Sequence, residues 1–273
     1  MQHAFTVDLE DWYHGIPVGA GIKVTAERRL EVGTDRLLEL LERHSAKATF
    51  FCLGPIAREY PNLVRRIVQA GHDVGSHGES HDLLYAMTPE RFREETARSI
   101  ATIQDCCGRS VRSYRAAYFS MTEQSLWAFE ILVSLGISYD SSVFPVRNWR
   151  YGIPTYSRRP LRVATPCGPI WELPLPTRRM LGRNVPATGG AYFRIYPYAV
   201  TRANIRALER EGMPVVFYVH PWELDPDHPR VHLHWKPRLT HYFNLRSTLP
   251  RLERLLSDFR FTTLAEAQPH AVA

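Results

Sequence analysis

The sequence predicts an α/β protein built on a parallel sheet. Two observations carry that expectation. First, short apolar runs rich in β-branched and aromatic residues alternate with helical patterns through the first half, with Gly, Pro or Thr at the joints. Such alternation fits a sheet that is either doubly wound or closed as a barrel. Second, Asp8, Glu10, Asp11, His77, Arg115 and Asp140 all fall just past the expected strands. Barrel enzymes place their active sites at the C-terminal ends of their strands.

The elements follow in order. Residues 5–9 form a strand that ends in a carboxylate cluster. Thr34 is expected to cap a helix over 35–44, with Leu37, Leu38, Leu40 and Leu41 on its apolar side. Residues 47–53 read as a buried strand. Residues 61–70 read as a helix closed by Gly71. A short strand over 72–76 feeds His77. Pro89 opens a long helix to about 107, with Gly108 behind it. Strands are expected over 111–114 and 137–139, with a helix over 122–135 between them. The stretch 144–188 is rich in Pro, Arg and aromatic residues and lacks a helical period, so it reads as a long excursion with short strands such as 169–173. A helix over 198–211 follows, and then the apolar strand 214–219 delivers His220. Residues 221–245 read as irregular. Ser247 caps a last helix, and 261–263 is a terminal strand.

The 273 residues lie between one and two domains by length alone. The strand-end placement of the reactive residues favours one barrel, so a single catalytic domain over 1–273 is expected. A composition of 44 % hydrophobic and 23 % charged residues excludes disorder for the bulk of the chain. No apolar run approaches the ~18–20 residues of a membrane span. The first residues enter a strand pattern at once, without a basic or apolar leader. A cytoplasmic protein with no integral membrane segment is the resulting expectation. Cys52, Cys106, Cys107 and Cys167 contain no C-x-x-C pair and read as reduced thiols. The net charge of +6 rests mostly on dispersed arginines without a long basic tract, which speaks against a nucleic-acid partner.

His77 and His81 form an H-x-x-x-H. On a helical turn, positions i and i+4 share a face, so both imidazoles could reach one metal. The carboxylates of Asp8, Glu10 and Asp11 sit at the end of a buried strand and need neutralising. A divalent cation would do this, and a His₂–carboxylate set leaves coordination positions open for water. A spare carboxylate of the cluster could act as general base, and His220 as general acid. Arg115 could hold the base ionised. The aromatics Trp12, Tyr13, Trp149, Tyr151, Tyr192, Phe193 and Trp222 could stack on sugar rings or simply pack.

This ordered set resembles the polysaccharide deacetylases, carbohydrate esterase family four. Thr6-Val7-Asp8-Leu9-Glu10-Asp11 stands where that family has T-F-D-D, and His77-Gly78-Glu79-Ser80-His81 stands for H-[ST]-x-x-H. Arg115-Ala116-Ala117-Tyr118 stands for R-x-P-[YF], and Tyr218-Val219-His220 for L-x-H. The wider text, including VDLEDWYH, AGHDVGSHGESH, YDSSVFP and FYVHPWELDPDHPR, is similar to the subgroup that accompanies exosortase and exopolysaccharide loci.

The resemblance implies a distorted (β/α) barrel of the polysaccharide deacetylase type, with seven strands. It implies a metal-dependent hydrolase that removes acetyl groups from N-acetylhexosamine units of a polysaccharide or its lipid-linked precursor. The metal would be zinc first, with cobalt, nickel or manganese as alternatives. By the same resemblance Asp8 is the base, tethered by Arg115, and His220 is the acid. His77 and His81 are metal ligands, and the Tyr118 backbone N–H serves the oxyanion. Three departures stand out. Position 9 is Leu, so either Glu10 or Asp11 supplies the metal carboxylate. Ala117 replaces the usual Pro, and Gly78 replaces Ser or Thr. Glu172 or Asp140 is a candidate for the fourth motif, with Glu172 orienting His220. Two other readings keep the barrel: hydrolysis of a small cyclic amide, and non-catalytic binding of an acidic glycan.

Overall fold

The first strand shows why these residues build a parallel sheet. β1 (Gln2–Leu9) is buried at every position after Gln2, as a strand covered on both faces must be. The computed structural model describes residues 1–16 and 27–267. After β1 come α1 (Leu30–Arg43), β2 (Thr49–Cys52), α2 (Gly54–Glu59), α3 (Pro61–Gln69) and β3 (Asp73–Ser76). Then follow α4 (Pro89–Cys107), β4 (Ser113–Tyr114), α5 (Ala128–Ser134) and β5 (Tyr139–Asp140). The second half holds β6 (Leu161–Thr165), β7 (Gly168–Glu172), β8 (Thr177–Met180), β9 (Arg183–Pro186), α6 (Gly190–Ile195) and α7 (Tyr198–Arg210). It ends with β10 (Val216–Val219), α8 (Trp235–Tyr242), α9 (Thr248–Asp258) and β11 (Arg260–Thr262).

Seven strands run parallel along one path, β10-β1-β2-β3-β4-β5-β7. β6 adds an antiparallel edge to β7, and β11 pairs in parallel with the start of β1. β8 and β9 form a separate hairpin. Among the described residues no pairing joins the two ends of the path. The sheet nevertheless curls. β1 and β4 are three strand spacings apart, roughly 14 Å in a flat sheet. Yet the Arg115 guanidinium, just past β4, donates to Thr6 Oγ1 and Asp8 Oδ1 at 2.8 Å each. Phe51, Phe144, Leu173 and Tyr218, from well-separated places on the path, pack in one apolar cluster. The architecture is the distorted barrel that the resemblance implies, where the alternation alone also allowed a doubly wound sheet.

Four elements differ from expectation. Thr34 is not a cap: α1 begins at Leu30, and Thr34 Oγ1 donates to the Leu30 carbonyl from inside the helix. Burying Leu30 extends the helix upstream of the polar signal. The stretch 144–188 is more regular than its composition suggests, because β6 and β7 join the main sheet. The stretch 221–245 contains α8. Residues 122–135 split into a 3₁₀ turn and the shorter α5. The four cysteines are free thiols. No helix among the described residues is long and apolar enough to cross a membrane.

Candidate active site

Strand alternation sets the first carboxylates. Side chains at i and i+2 share a face of a strand, so Asp8 and Glu10 point one way and Leu9 the other. Leu9 is fully buried in the apolar core. That explains the departure at position 9: this chain spends that position on packing and reaches the site with the longer side chain one residue on.

His77 and His81 are not on a helix. β3 ends at Ser76, and the loop turns through Gly78 at φ 86° and His81 at φ 59°. Both values lie in the left-handed region that L side chains rarely adopt. This loop, rather than a helical face, brings the two imidazoles together. His77 Nε2 and His81 Nε2 each lie 2.9 Å from the same Glu10 oxygen, Oε1. Glu10, His77 and His81 thus present three donor atoms that could hold one metal ion. His77 Nδ1 donates to the Arg115 carbonyl at 2.8 Å, which leaves Nε2 to face the site. Burial opposes ionisation of Glu10, but the charge of His81 and hydrogen bonds from both imidazoles hold it well below the usual carboxylate range. Burial pushes His77 down, and the hydrogen bond to Glu10 and the charge of Asp8 raise it overall.

Asp11 lies outside this group. Its two oxygens accept the backbone N–H groups of Trp12 at 2.8 Å and Arg29 at 2.9 Å. It ties the loop after β1 to the start of α1. Of the two carboxylates left open by the sequence, Glu10 joins the imidazoles and Asp11 does not.

Arg115 is fully buried. Its Nε donates to the Ser141 carbonyl and its second terminal nitrogen to Ser141 Oγ, both at 3.0 Å. These bonds aim the remaining nitrogen at Asp8 Oδ1. Asp8 Oδ2 faces His220 Nε2 at 3.7 Å. His220 follows β10, and its Nδ1 donates to Glu223 Oε1 at 2.8 Å. Glu223 Oε2 in turn accepts from Arg194 Nε at 2.5 Å. Burial would lower the His220 pKa, but Glu223, Glu10 and Asp8 lift it to about 9. Burial would raise Glu223, but Arg194 and His220 bring it down to about 2. The Trp222 indole lies between the His220 ring, at 5.2 Å, and the His241 ring, at 4.3 Å, stacked on both.

The expected role of Glu172 is overturned. Glu172 Oε1 accepts from Val143 N at 3.1 Å, and the residue sits opposite Asp140 in the β5–β7 register. Asp140 accepts from Ser142 N and Oγ. The group that orients His220 is Glu223, within the Pro221-Trp222-Glu223 run beside it. The available signal was the spacing of three residues across a Pro-initiated turn. Arg194 and His14 were also missed. His14 Nδ1 accepts from Asp11 N at 3.1 Å, its ring lies 5.7 Å from His81, and burial lowers its pKa to about 4.

Tyr118 has φ 56°. Its hydroxyl donates to the His14 carbonyl at 3.1 Å, and its ring lies 4.5 Å from that of His81. Among the aromatics, Trp12, Phe193 and Trp222 are buried, whereas Trp149 is 90 % exposed.

Comparison with known proteins fits this arrangement. Residues 23–139 match the family model "Polysaccharide deacetylase", and residues 141–268 match a domain of unknown function, DUF3473. The peptidoglycan deacetylase of Helicobacter pylori is 34 % identical over 113 residues, covering 41 % of this chain and 38 % of that protein. The chitooligosaccharide deacetylase of Azorhizobium caulinodans is 35 % identical over 121 residues, covering 42 % of this chain and 54 % of that protein. The matched segment thus spans from about a third to a half of these relatives' length. A Mycobacterium smegmatis structure described as a polysaccharide deacetylase superposes with a TM-score of 0.65 at 21 % identity, covering 96 % of this chain and 87 % of that one. A family 4 carbohydrate esterase from Streptomyces lividans gives 0.50 at 17 % identity, covering 94 % and 88 %. The site draws on both matched segments and on the strand before them: Asp8 and Glu10 precede residue 23, while His220, Glu223 and Arg194 follow residue 141. The shared fold and the paired histidines accord with the match of residues 23–139 to the polysaccharide deacetylase model.

Proposed function

We propose that the chain is one catalytic domain, a metal-dependent hydrolase that removes acetyl groups from N-acetylhexosamine units of a polysaccharide or its lipid-linked precursor. The observation that carries this reading is Asp8, held by Arg115 on one oxygen and facing His220 with the other, beside the convergent Glu10, His77 and His81. Glu10, His77 and His81 fit a divalent cation, zinc first, because two imidazoles and one carboxylate suit that ion. Bound there, the cation would polarise the acetamido carbonyl and acidify a water.

The chain's own groups supply the proton transfers. Asp8 takes a proton from the attacking water through Oδ2; the 3.7 Å gap to His220 Nε2 is longer than a hydrogen bond. Arg115 keeps the other oxygen occupied, so the base has a fixed orientation. His220 gives its Nε2 proton to the departing nitrogen as the C–N bond breaks. Its raised pKa keeps that proton in place at neutral pH. The products are acetate and a free amino sugar. The peptide N–H of Tyr118 serves the oxyanion. Losing either acid or base costs such enzymes ~10²–10⁴ in rate.

The test is acetate release from an N-acetylglucosamine oligomer with added Zn²⁺ or Co²⁺, comparing wild type with His77→Ala. Release that depends on His77 supports the proposal; equal release by both proteins sinks it.

A further inference from the structure

We propose that Trp149 and Arg150 form a subsite for a hexuronate unit, so that the substrate is an acidic glycan carrying a uronate beside the acetamido sugar. The inference rests on the deacetylase reading and deepens it.

Trp149 is 90 % exposed, while the residues around it are anchored. Tyr151 stacks on Phe144 at 5.7 Å with the rings 5° from parallel, and its hydroxyl meets that of Tyr192 at 3.2 Å. Ile153 is buried, and its N–H bonds the Phe144 carbonyl. Arg150 N donates to Asn148 Oδ1 at 3.0 Å. The segment is thus tied down on both sides of an indole that stays in solvent. Isolated exposed apolar side chains are ordinary; this one adjoins the site. The Arg150 guanidinium lies 4.7 Å above the Tyr118 ring and 5.8 Å from the Trp149 ring. Tyr118 in turn lies 4.5 Å from His81. Two ring contacts therefore lead from the imidazole ligand to Arg150, and the indole continues outward.

The charge points to the occupant. Arg58, Arg66 and Arg91 each meet a carboxylate. Many other arginines, Arg150 among them, meet no carboxylate among the described residues; what sets Arg150 apart is its place over the Tyr118 ring, which itself adjoins His81. A guanidinium binds a carboxylate through two parallel hydrogen bonds. An aromatic face takes the apolar face of a pyranose while the ring hydroxyls stay in water. A hexuronate offers both: a ring for Trp149, and a carboxylate attached directly to that ring's edge for Arg150. A neutral hexosamine offers only the first.

The experiment is a binding titration of the full chain by calorimetry, which needs no turnover. The probes are a hyaluronan hexasaccharide, in which uronate alternates with N-acetylglucosamine, and neutral chitohexaose, each at low and high salt. The wild type should bind the hyaluronan fragment at least about 10-fold more tightly, and salt should erode that preference. Arg150→Ala should abolish it and leave chitohexaose within twofold, and Arg150→Lys should restore part of it. Trp149→Ala should weaken both probes. Equal wild-type affinity for the two probes, no binding of either, or an Arg150→Ala loss equal for both overturns the proposal. Preference for a muramic acid disaccharide, whose carboxylate sits on a lactyl ether, overturns the uronate assignment. Arg150-dependent binding without acetate release from either probe would sink the deacetylase reading alone. Acetate release without Arg150-dependent preference would sink the subsite alone.

Discussion

Glu223 holds His220 from three residues away: one oxygen accepts from His220 Nδ1 at 2.8 Å, and the other accepts from the buried Arg194. The pair raises His220 to about 9 and is itself anchored by a second charge. Glu223→Gln should therefore lower the His220 pKa toward 6.5, as read by NMR titration of the metal-free protein. The sign for stability follows. A histidine raised in the folded state contributes stability that is complete below its unfolded pKa of about 6.5 and lost as pH rises through about 9. The variant should lack that loss between the two values. An unchanged His220 titration would show that Glu223 is not what raises it.

Arg194 is the other half of this arrangement. It is 1 % exposed and also donates to the carbonyls of Thr240 and Phe243, both at 2.6 Å. Arg194→Met removes one partner of a buried ion pair, a change that typically costs about 3–5 kcal/mol. Chemical denaturation should give a loss of that size. A loss under about 1 kcal/mol would mean that Glu223 finds another partner or water.

Glu10 and Asp11 should separate cleanly. Glu10→Gln removes a charged donor beside both imidazoles and should weaken zinc binding by more than the roughly 10–100-fold typical of outer-shell changes. Asp11→Asn alters only the acceptor of two backbone N–H groups. It should leave zinc affinity within a few-fold while lowering thermal stability. Competition with a chelating dye reads both, and the reverse ranking would assign the ligand to Asp11.

The sequence made the strand ends legible because each reactive residue follows an apolar run of strand length. It left Glu10 and Asp11 open because the choice depends on where β1 stops pairing. β1 ends at Leu9, and the alternation persists for one more residue. The histidine pair was legible by type and spacing, but a left-handed turn at Gly78 and His81 replaces the expected helix. Glu172 was a poor choice for orienting His220 because its register partner is Asp140, a cross-strand fact that chain order does not contain. Within the excursion the expected strand over 169–173 corresponds to β7, but β6 was hidden, since an edge strand with alternating exposure lacks the continuous apolar run of the buried ones.

The Asp140–Glu172 pair makes a prediction about how stability depends on pH. Both residues are fully buried at the ends of β5 and β7. Ser142 N and Oγ hold Asp140 as the acceptor. Burial first, and then the charge of Asp140, push Glu172 well above the usual carboxylate range, so Glu172 carries the proton. The unfolded chain releases that proton near pH 4.5, so the neutral Glu172 stabilises the fold at low pH, and that contribution declines as pH rises toward its folded pKa. In that window one extra bound proton gives a slope of about 1.4 kcal/mol per pH unit. The consequence reaches the site, because the same turn carries Ser141, whose carbonyl and hydroxyl hold Arg115. Glu172→Gln keeps a neutral side chain at all pH values. Its unfolding free energy should fall less steeply than wild type as pH rises from about 4.5 toward the folded pKa of Glu172, and its activity should decline less over the same range. Parallel stability-against-pH curves for the two proteins would show that Glu172 is ionised in the fold and that Arg115 is held without its proton.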